Sequence, residues 1–304
     1  MYKRLEEQLI KIRVKQLIVN EKYNEKQFKI PIHLALGHES LAVAVTENIS
    51  ASDTLVLSHR NIHYNLCKEE SLSKVIDEYL GKASGLAKGS AGSMNLYNCG
   101  ANIPYTSSIL GNNLSVASGI ALAAKVKRTD SVTFVVTGDG AMEEGAFYEC
   151  LVFAKTYDLK LIIVIENNGW SLATKIEERR CKIDVEKICQ SLSIDYVKLK
   201  GNDTGSYTKK VVIAKAKVIE TNTPLVIECE LHSLGDWIMT NEANPNGKYI
   251  NYHAGPAPEV KLSDGPIIKY DNSDPVYVLK TGLGEEYFRE LYESIISQYE
   301  EYQQ

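Results

Sequence analysis

The chain has 304 residues, 44% hydrophobic and 24% charged, with a formal net charge of −5 and a pI near 5.8. That length suits one large α/β domain or two small ones, and the composition is ordinary for a soluble globular enzyme. The acidic balance, with no dense Lys/Arg run, argues against nucleic-acid binding, and no apolar stretch reaches the roughly 18–20 residues that span a bilayer.

Residues 1–20 alternate charged and apolar side chains at helical spacing and do not read as a secretory signal. Within them Leu5, Leu9, Ile12, Leu17 and Val19 predict an amphipathic helix over 4–19. A second helix is expected over 38–49. A third is expected over 71–80, with Ser71 or Ser73 as cap and Gly81 as stop. Residues 81–111 are rich in Gly, Ser and Asn and read as a long ordered loop, whereas 114–125 are small and apolar, as in a helix packed on a sheet.

Strands and helices then alternate. The β-branched run 131–137 (SVTFVVT) leads into Gly138-Asp139-Gly140 and a helix reaching about Tyr157, and LIIVIE over 161–166 is the next strand. A strand over 194–199, a helix over 207–220 and a strand over 225–229 continue the series. Continuous apolar strands indicate a parallel sheet covered on both faces by crossover helices. Residues 241–274, rich in Pro, Gly and Asn, read as an extended arm, and a helix over 285–300 closes the chain. There is no internal repeat. Cys67, Cys99, Cys150, Cys181, Cys189 and Cys229 form no CxxC pair and several lie in apolar runs. Buried free thiols and a cytoplasmic location are therefore expected, rather than disulfides or a zinc site.

The chemistry is concentrated in Gly138-Asp139-Gly140 and, after 26 residues, Asn167-Asn168. Each half directly follows a strand, and ligands of open α/β sheets bind outside the carboxyl ends of strands. Gly140 and Ala141 are expected to open the next helix, whose free N–H groups suit a pyrophosphate. Asp139 and Asn168 offer oxygen atoms from neighbouring strands, which suits magnesium, an ion that takes an octahedron of oxygens at about 2.0–2.1 Å. Gly-Asp-Gly is also a good turn, with an Asx bond at Asn168 as its companion, but both halves in strand context favour the cofactor site. Glu143 and Glu144 read as compensation of a helix dipole.

Gly-Asp-Gly followed at this interval by Asn-Asn resembles the thiamine-pyrophosphate motif. The surrounding sequence is similar to the alpha subunits of pyruvate, branched-chain 2-oxo acid and acetoin dehydrogenases. The matching stretches are His33-Leu34-Ala35-Leu36-Gly37-His38-Glu39, Ser58-His59-Arg60 and Ala87-Lys88-Gly89-Ser90-Ala91-Gly92-Ser93-Met94. Ser108-Ile109-Leu110-Gly111 and Gly119-Ile120-Ala121-Leu122 continue the match, which covers about 28–180 and resumes at Asp274-Pro275. The AKGSAGSM stretch separates this family from transketolase-like enzymes that share the thiamine motif.

The resemblance implies that Asp139, Asn168 and the Trp170 carbonyl ligate the metal, that Gly138, Gly140 and Ala141 hold the pyrophosphate, and that Arg60 binds a phosphate oxygen. It places His59 beside the cofactor, at a position where pyruvate enzymes often carry Tyr. It also puts the backbones of Ser108 and Leu110 at the aminopyrimidine end. His33 matches an active-site histidine of the family, whose imidazole titrates near neutrality and can move protons. On residues alone, Arg60 would pass for a surface charge and His33 for a structural histidine.

The chain departs from the family at two places. Members often read Arg-x-His-Gly where this chain has Arg60-Asn61-Ile62-His63, so His63, displaced by one position, is the candidate substitute for that catalytic histidine. The loop after Ile227-Glu228-Cys229-Glu230 is several residues shorter, and His232 is the candidate for the histidine that reaches the cofactor phosphate there. In the family, the carboxylate at the aminopyrimidine ring comes from a separate beta subunit, and a chain of this length has no room for a second pyrimidine-binding domain.

The expectation is therefore an α/β, parallel-sheet thiamine-pyrophosphate-binding fold. Residues 1–240 would form the thiamine-pyrophosphate and Mg2+ domain, and 241–304 an arm and C-terminal helix packing on it or on the partner. The implied function is an alpha subunit of a 2-oxo acid dehydrogenase. It would work in an α2β2 heterotetramer with a beta-type subunit, with a lipoyl acyltransferase as further partner and a small-molecule substrate. The alternatives are a split transketolase-like or acyloin-type transferase subunit without a lipoyl acceptor, and a non-catalytic cofactor-binding scaffold.

Overall fold

The computed structural model describes residues 2–302, beginning with α1 (Tyr2–Asn24). This helix is longer than its sequence pattern predicts, and it is not amphipathic in its packing. Leu9, Ile10, Ile12, Val14, Leu17 and Ile18 are buried all round it, and so are Arg13, Gln16 and Asn20. A helix hidden on all sides must satisfy its polar groups internally. Accordingly Arg13 bonds Glu39 at 2.7 Å and Asp274 at 3.0 Å, and Asn20 donates to the carbonyls of Ala257 and Val260.

After α1 come α2 (Glu39–Thr46), β1 (Thr54–Ser58), α3 (Ile62–Lys68), α4 (Leu72–Tyr79), β2 (Tyr105–Ser107) and α5 (Asn112–Val126). The motif strands follow: β3 (Thr133–Gly138), α6 (Gly145–Thr156) and β4 (Leu161–Asn167). A small hairpin, β5 (Trp170–Ser171) and β6 (Thr174–Lys175), leads through α7 (Ile176–Arg179) and α8 (Val185–Ser191) to β7 (Asp195–Leu199). The rest is α9 (Thr204–Thr221), β8 (Leu225–Glu230), a hairpin of β9 (Trp237–Asn241) and β10 (Asn244–Ile250), then α10 (Pro275–Leu283) and α11 (Glu285–Ile296).

Six strands form one parallel sheet in the order β2-β1-β3-β4-β8-β7. Alternate residues of a strand face opposite sides, and here both sides are covered, which is why β3 and β4 read as unbroken apolar runs. Phe134, Val136, Ile162 and Val164 pack with Leu41 and Ala44 of α2 and Tyr207 and Val211 of α9. Val135, Ile163 and Ile165 pack on the other face with Leu114 of α5, Phe147 of α6 and Cys189 of α8. A third cluster joins α1 to Tyr252, Ala257 and Val260 of the arm, Val276 of α10 and Leu291 of α11. All six cysteines are free. Among the described residues no helix is long and apolar enough to cross a membrane.

The loop over 81–111 is held by one buried carboxylate. Glu78, only 1% exposed, accepts the N–H groups of Ala87, Gly89, Ala91 and Gly92. Gly89 is needed for this winding. It lies at φ +74°, and a Cβ there would come within 2.4 Å of the Gly81 backbone. One expectation is corrected at the motif itself. Gly140 and Ala141 do not open α6; Asp139–Glu143 form a 3-10 turn, and α6 begins at Gly145.

Candidate active site

The strand order reverses between β1 and β3: from β1 the sheet runs one way to β2 and the other way to β3 and β4. A cavity opens at the carboxyl ends of these strands, where a ligand of a doubly wound sheet is expected. Ser58, His59 and Arg60 line it from the end of β1, Gly138 to Ala141 from the end of β3, and Glu166, Asn168 and Trp170 from the end of β4. Leu110 and Leu172 stand at its edge, and His38 and His253 complete it.

Asp139 is buried at 2% exposure, and its Oδ2 lies 2.6 Å from Nη2 of Arg179, which also contacts Glu143. Burial pushes the Asp139 carboxyl above its ordinary pKa, with Arg179 opposing. Asn168 is fixed at both ends of its amide: Oδ1 accepts the Trp170 N–H at 3.0 Å, and Nδ2 donates to Ser233 Oγ at 3.0 Å. A Cβ on Gly140 would stand 3.1 Å from Ser171 Oγ, and a Cβ on Gly138 would meet nothing within 4 Å.

Arg60 is buried and spends its guanidinium on backbone carbonyls. Nη2 donates to His253 O at 3.0 Å and Nη1 donates to Leu34 O, so it ties the loop before α2 to the arm. His33 packs edge-on against His59 and against His253, each at 4.9 Å between ring centroids. Its Nδ1 is buried without a hydrogen-bond partner. Burial first, then the Arg60 cation, push His33 down to about 2, and the same causes bring His59 and His253 to about 4.

A second polar cluster supports the floor. His38 Nδ1 lies 3.2 Å from Glu166 Oε2, while His63 Nε2 at 2.8 Å and the Tyr64 hydroxyl at 2.9 Å share Oε1. Burial opposes ionisation of Glu166, but His63 and His38 outweigh it and hold the carboxyl well below the usual carboxylate range. His38 Nε2 meets Ser233 Oγ at 3.0 Å, so one hydroxyl joins this cluster to Asn168.

Of the expected site histidines, His33 does not line the cavity but packs on two rings that do, and two others lie elsewhere. His63 is fully buried behind Glu166 and does not line the cavity, because α3 turns it inward and gives the neighbouring Ile62 to the core. His232 is exposed and near Asp271 rather than in the cavity; its backbone carbonyl packs on Gly37, and it is Ser233 that turns inward. Ser108 is exposed beside the cavity, with its N–H on Asn95 Oδ1 at 3.0 Å. Sequence reading missed His38 and Glu166 as lining groups, although both lie inside or next to matched motifs. It also missed His253, which nothing local distinguishes.

The family model described as dehydrogenase E1 component matches residues 8–243. Subunit alpha of acetoin:2,6-dichlorophenolindophenol oxidoreductase from Bacillus subtilis is 30% identical over 198 residues, covering 65% of this chain and 60% of that protein. The pyruvate dehydrogenase E1 component subunit alpha of Rickettsia bellii is 28% identical over 216 residues, 71% of this chain and 66% of that one. The chain thus covers 60% and 66% of the length of these curated relatives. Among solved structures, transketolase from Leishmania mexicana superposes with a TM-score of 0.62 at 17% identity, over 98% of this chain and 46% of that chain.

Proposed function

The chain belongs to the dehydrogenase E1 component family, and from that premise we propose that it is the alpha subunit of a thiamine-pyrophosphate- and Mg2+-dependent 2-oxo acid dehydrogenase-like enzyme, active with a beta-type partner. The observation that carries this reading is the convergence of Asp139, Gly140, Asn168 and Trp170 in one cavity at the sheet's switch point.

The residues fit the cofactor. Asp139, Asn168 and the Trp170 carbonyl are oxygen donors only, as a hard dication requires. Arg179 already stands on Asp139 as a cation. Gly138 leaves the backbone open to a phosphate, and at Gly140 a side chain would crowd Ser171 Oγ. When bound, thiamine pyrophosphate supplies a stabilised carbanion at its thiazolium carbon. The chain's own groups then bind and orient. Asp139 and Asn168 hold the metal and, through it, the pyrophosphate, and Ser233 keeps the Asn168 amide in place. His33, neutral at pH 7, packs on His59 and His253 and positions their rings beside the donor substrate. His63 acts at one remove, by fixing Glu166. Decarboxylation of a 2-oxo acid, transfer to a lipoyl group, an α2β2 assembly and a cytoplasmic location, as the sequence leads one to expect, complete the proposal.

The test is calorimetric titration of thiamine pyrophosphate into the assembled complex. Binding should vanish with a chelator and in Asp139→Ala; unchanged affinity in both would remove the metal and cofactor assignment.

A further inference from the structure

His33 comes from the loop before α2, His59 from the end of β1, and His253 from the arm after β10. A ring nitrogen of each lies within 4.8 Å of one on both of the others. Among the described residues none of the three rings makes a hydrogen bond, whereas the other buried imidazoles, His38 and His63, are both bonded to Glu166. His33 is 6% exposed, and its Nδ1 is a buried polar atom without a partner. A folded chain leaves few such atoms unmet; His63 Nδ1 is another, but the His33 ring is the one packed on two cavity-lining imidazoles.

Neutral imidazole carries one N–H donor and one bare acceptor nitrogen. Burial and Arg60 keep all three rings neutral at pH 7, so His59 and His253, which line the cavity, can each offer it a donor or an acceptor, while His33 packs against both. An alkyl group pressed against these two rings would leave their nitrogens unpaired, while a hydroxylated carbon would pair with them. Sites built to bond a substrate hydroxyl discriminate strongly against the analogue that lacks it, far more than apolar pockets discriminate by size.

We infer that His59 and His253, positioned by His33 packed against both, read the donor substrate and select one bearing a hydroxyl on the carbon beside its carbonyl over one with a plain alkyl group. The inference rests on the proposed cofactor site, because the same cavity must place the donor against the cofactor. Three imidazoles also compose a zinc ligand set, but the Arg60 cation, which acts on all three rings, opposes a dication there.

The test pairs donors that differ by one hydroxyl, hydroxypyruvate and pyruvate, on the assembled complex with saturating metal and cofactor. Wild type should favour hydroxypyruvate in kcat/KM by roughly 10²-fold or more. His59→Leu and His253→Leu should each cut that ratio at least about tenfold, and His253→Asn should keep most of it. Cofactor affinity, followed by calorimetry, should stay unchanged in the two His253 variants, which separates this inference from the cofactor assignment. A second readout needs no turnover. The chain has six histidines, and dihydroxyacetone should shift the imidazole NMR signals of these three while butanone leaves them in place. Pyruvate used as well as hydroxypyruvate, a ratio untouched by His253→Leu, or Zn2+ bound through the three rings would each overturn the inference.

Discussion

Arg179 Nη2 stands 2.6 Å from Asp139 Oδ2, so a cation of the chain itself sits on the carboxylate proposed to ligate a metal. The same guanidinium contacts Glu143, which also takes Arg180 Nε at 2.9 Å, and Arg179 ends the short helix that follows the β5–β6 hairpin. Guanidinium and divalent metal must compete for Asp139.

Replacing the competitor should therefore have opposite effects on metal binding and on metal-free stability. Arg179→Gln should bind magnesium with the cofactor about tenfold more tightly, equivalent to about 1.4 kcal/mol. Without metal it should lose stability, by at most the roughly 3–5 kcal/mol that follows stranding one charge of a buried pair, and added Mg2+ should restore most of the loss. Calorimetry and urea midpoints with and without magnesium measure both. Unchanged metal affinity would show that the pair does not compete for the ion.

A second buried charge ties the two ends of the chain together. Asp274, fully buried, accepts both terminal nitrogens of Arg13 and the N–H groups of Ile268, Lys269 and Val276. Asp274→Ala should cost about 3–5 kcal/mol, because the guanidinium of α1 would remain buried with half its partners. Urea denaturation reads this directly, and a loss under about 1 kcal/mol would mean that Glu39 alone suffices.

Much of this arrangement is legible in the sequence, because the cofactor motif and its strands carry local signals. SVTFVVT and LIIVIE are long, β-branched and buried on both faces, so their period and their placement before Gly138 and Asn167 identify them. The strand that delivers His59 and Arg60 is only Thr54–Ser58, five residues next to the short β2, too brief to show a pattern. The internal burial of α1 cannot be read from its own residues. It depends on the Asp274 carboxylate, which pairs with Arg13, and on the Ala257 and Val260 carbonyls, which accept from Asn20. His253 illustrates the same limit. It lies in a Pro- and Gly-rich arm and becomes a site residue only because Arg60 holds its carbonyl. The shortened loop after β8 misleads in the other direction, since its histidine faces outward and its serine faces in.

Stability should fall as the solution is acidified from neutrality. His33, His59 and His253 have folded-state pKa values lowered to about 2, 4 and 4, below the roughly 6.5 of an unfolded histidine. Between about pH 6.5 and 4 the unfolded chain therefore binds more protons than the folded one, and the stability these neutral rings permit is lost as pH falls through that window. Each contributes a slope of at most about 1.4 kcal/mol per pH unit. Urea midpoints at pH 7, 6 and 5 should show the decline, and His59→Asn should make it shallower. A slope identical in wild type and variant would mean that His59 titrates normally.

The cavity mouth carries apolar side chains that the chain does not cover, and these should seat the beta-type partner. Ile109 is 69% exposed, Leu172 63% and Leu110 43%, with Leu110 and Leu172 on the cavity edge itself. Leu172 sits in the β5–β6 turn at φ +53°, held out from the sheet on the segment that also carries the proposed metal ligand Trp170. A partner covering this mouth would exclude water from the cofactor and bury the exposed groups together. Buried apolar anchors at the centre of an interface each cost about 2–4 kcal/mol when lost, so Leu172→Asp and Ile109→Asp should weaken assembly by roughly 30-fold or more, with activity falling in parallel. Neither change should alter the urea midpoint of the isolated chain, because both side chains are already in water. Val126→Asp is the control: it is 73% exposed at the far end of α5, away from the cavity, and should assemble as wild type does. Sedimentation of chain and partner together decides the matter. Wild-type assembly by Leu172→Asp and Ile109→Asp would place the partner on another face.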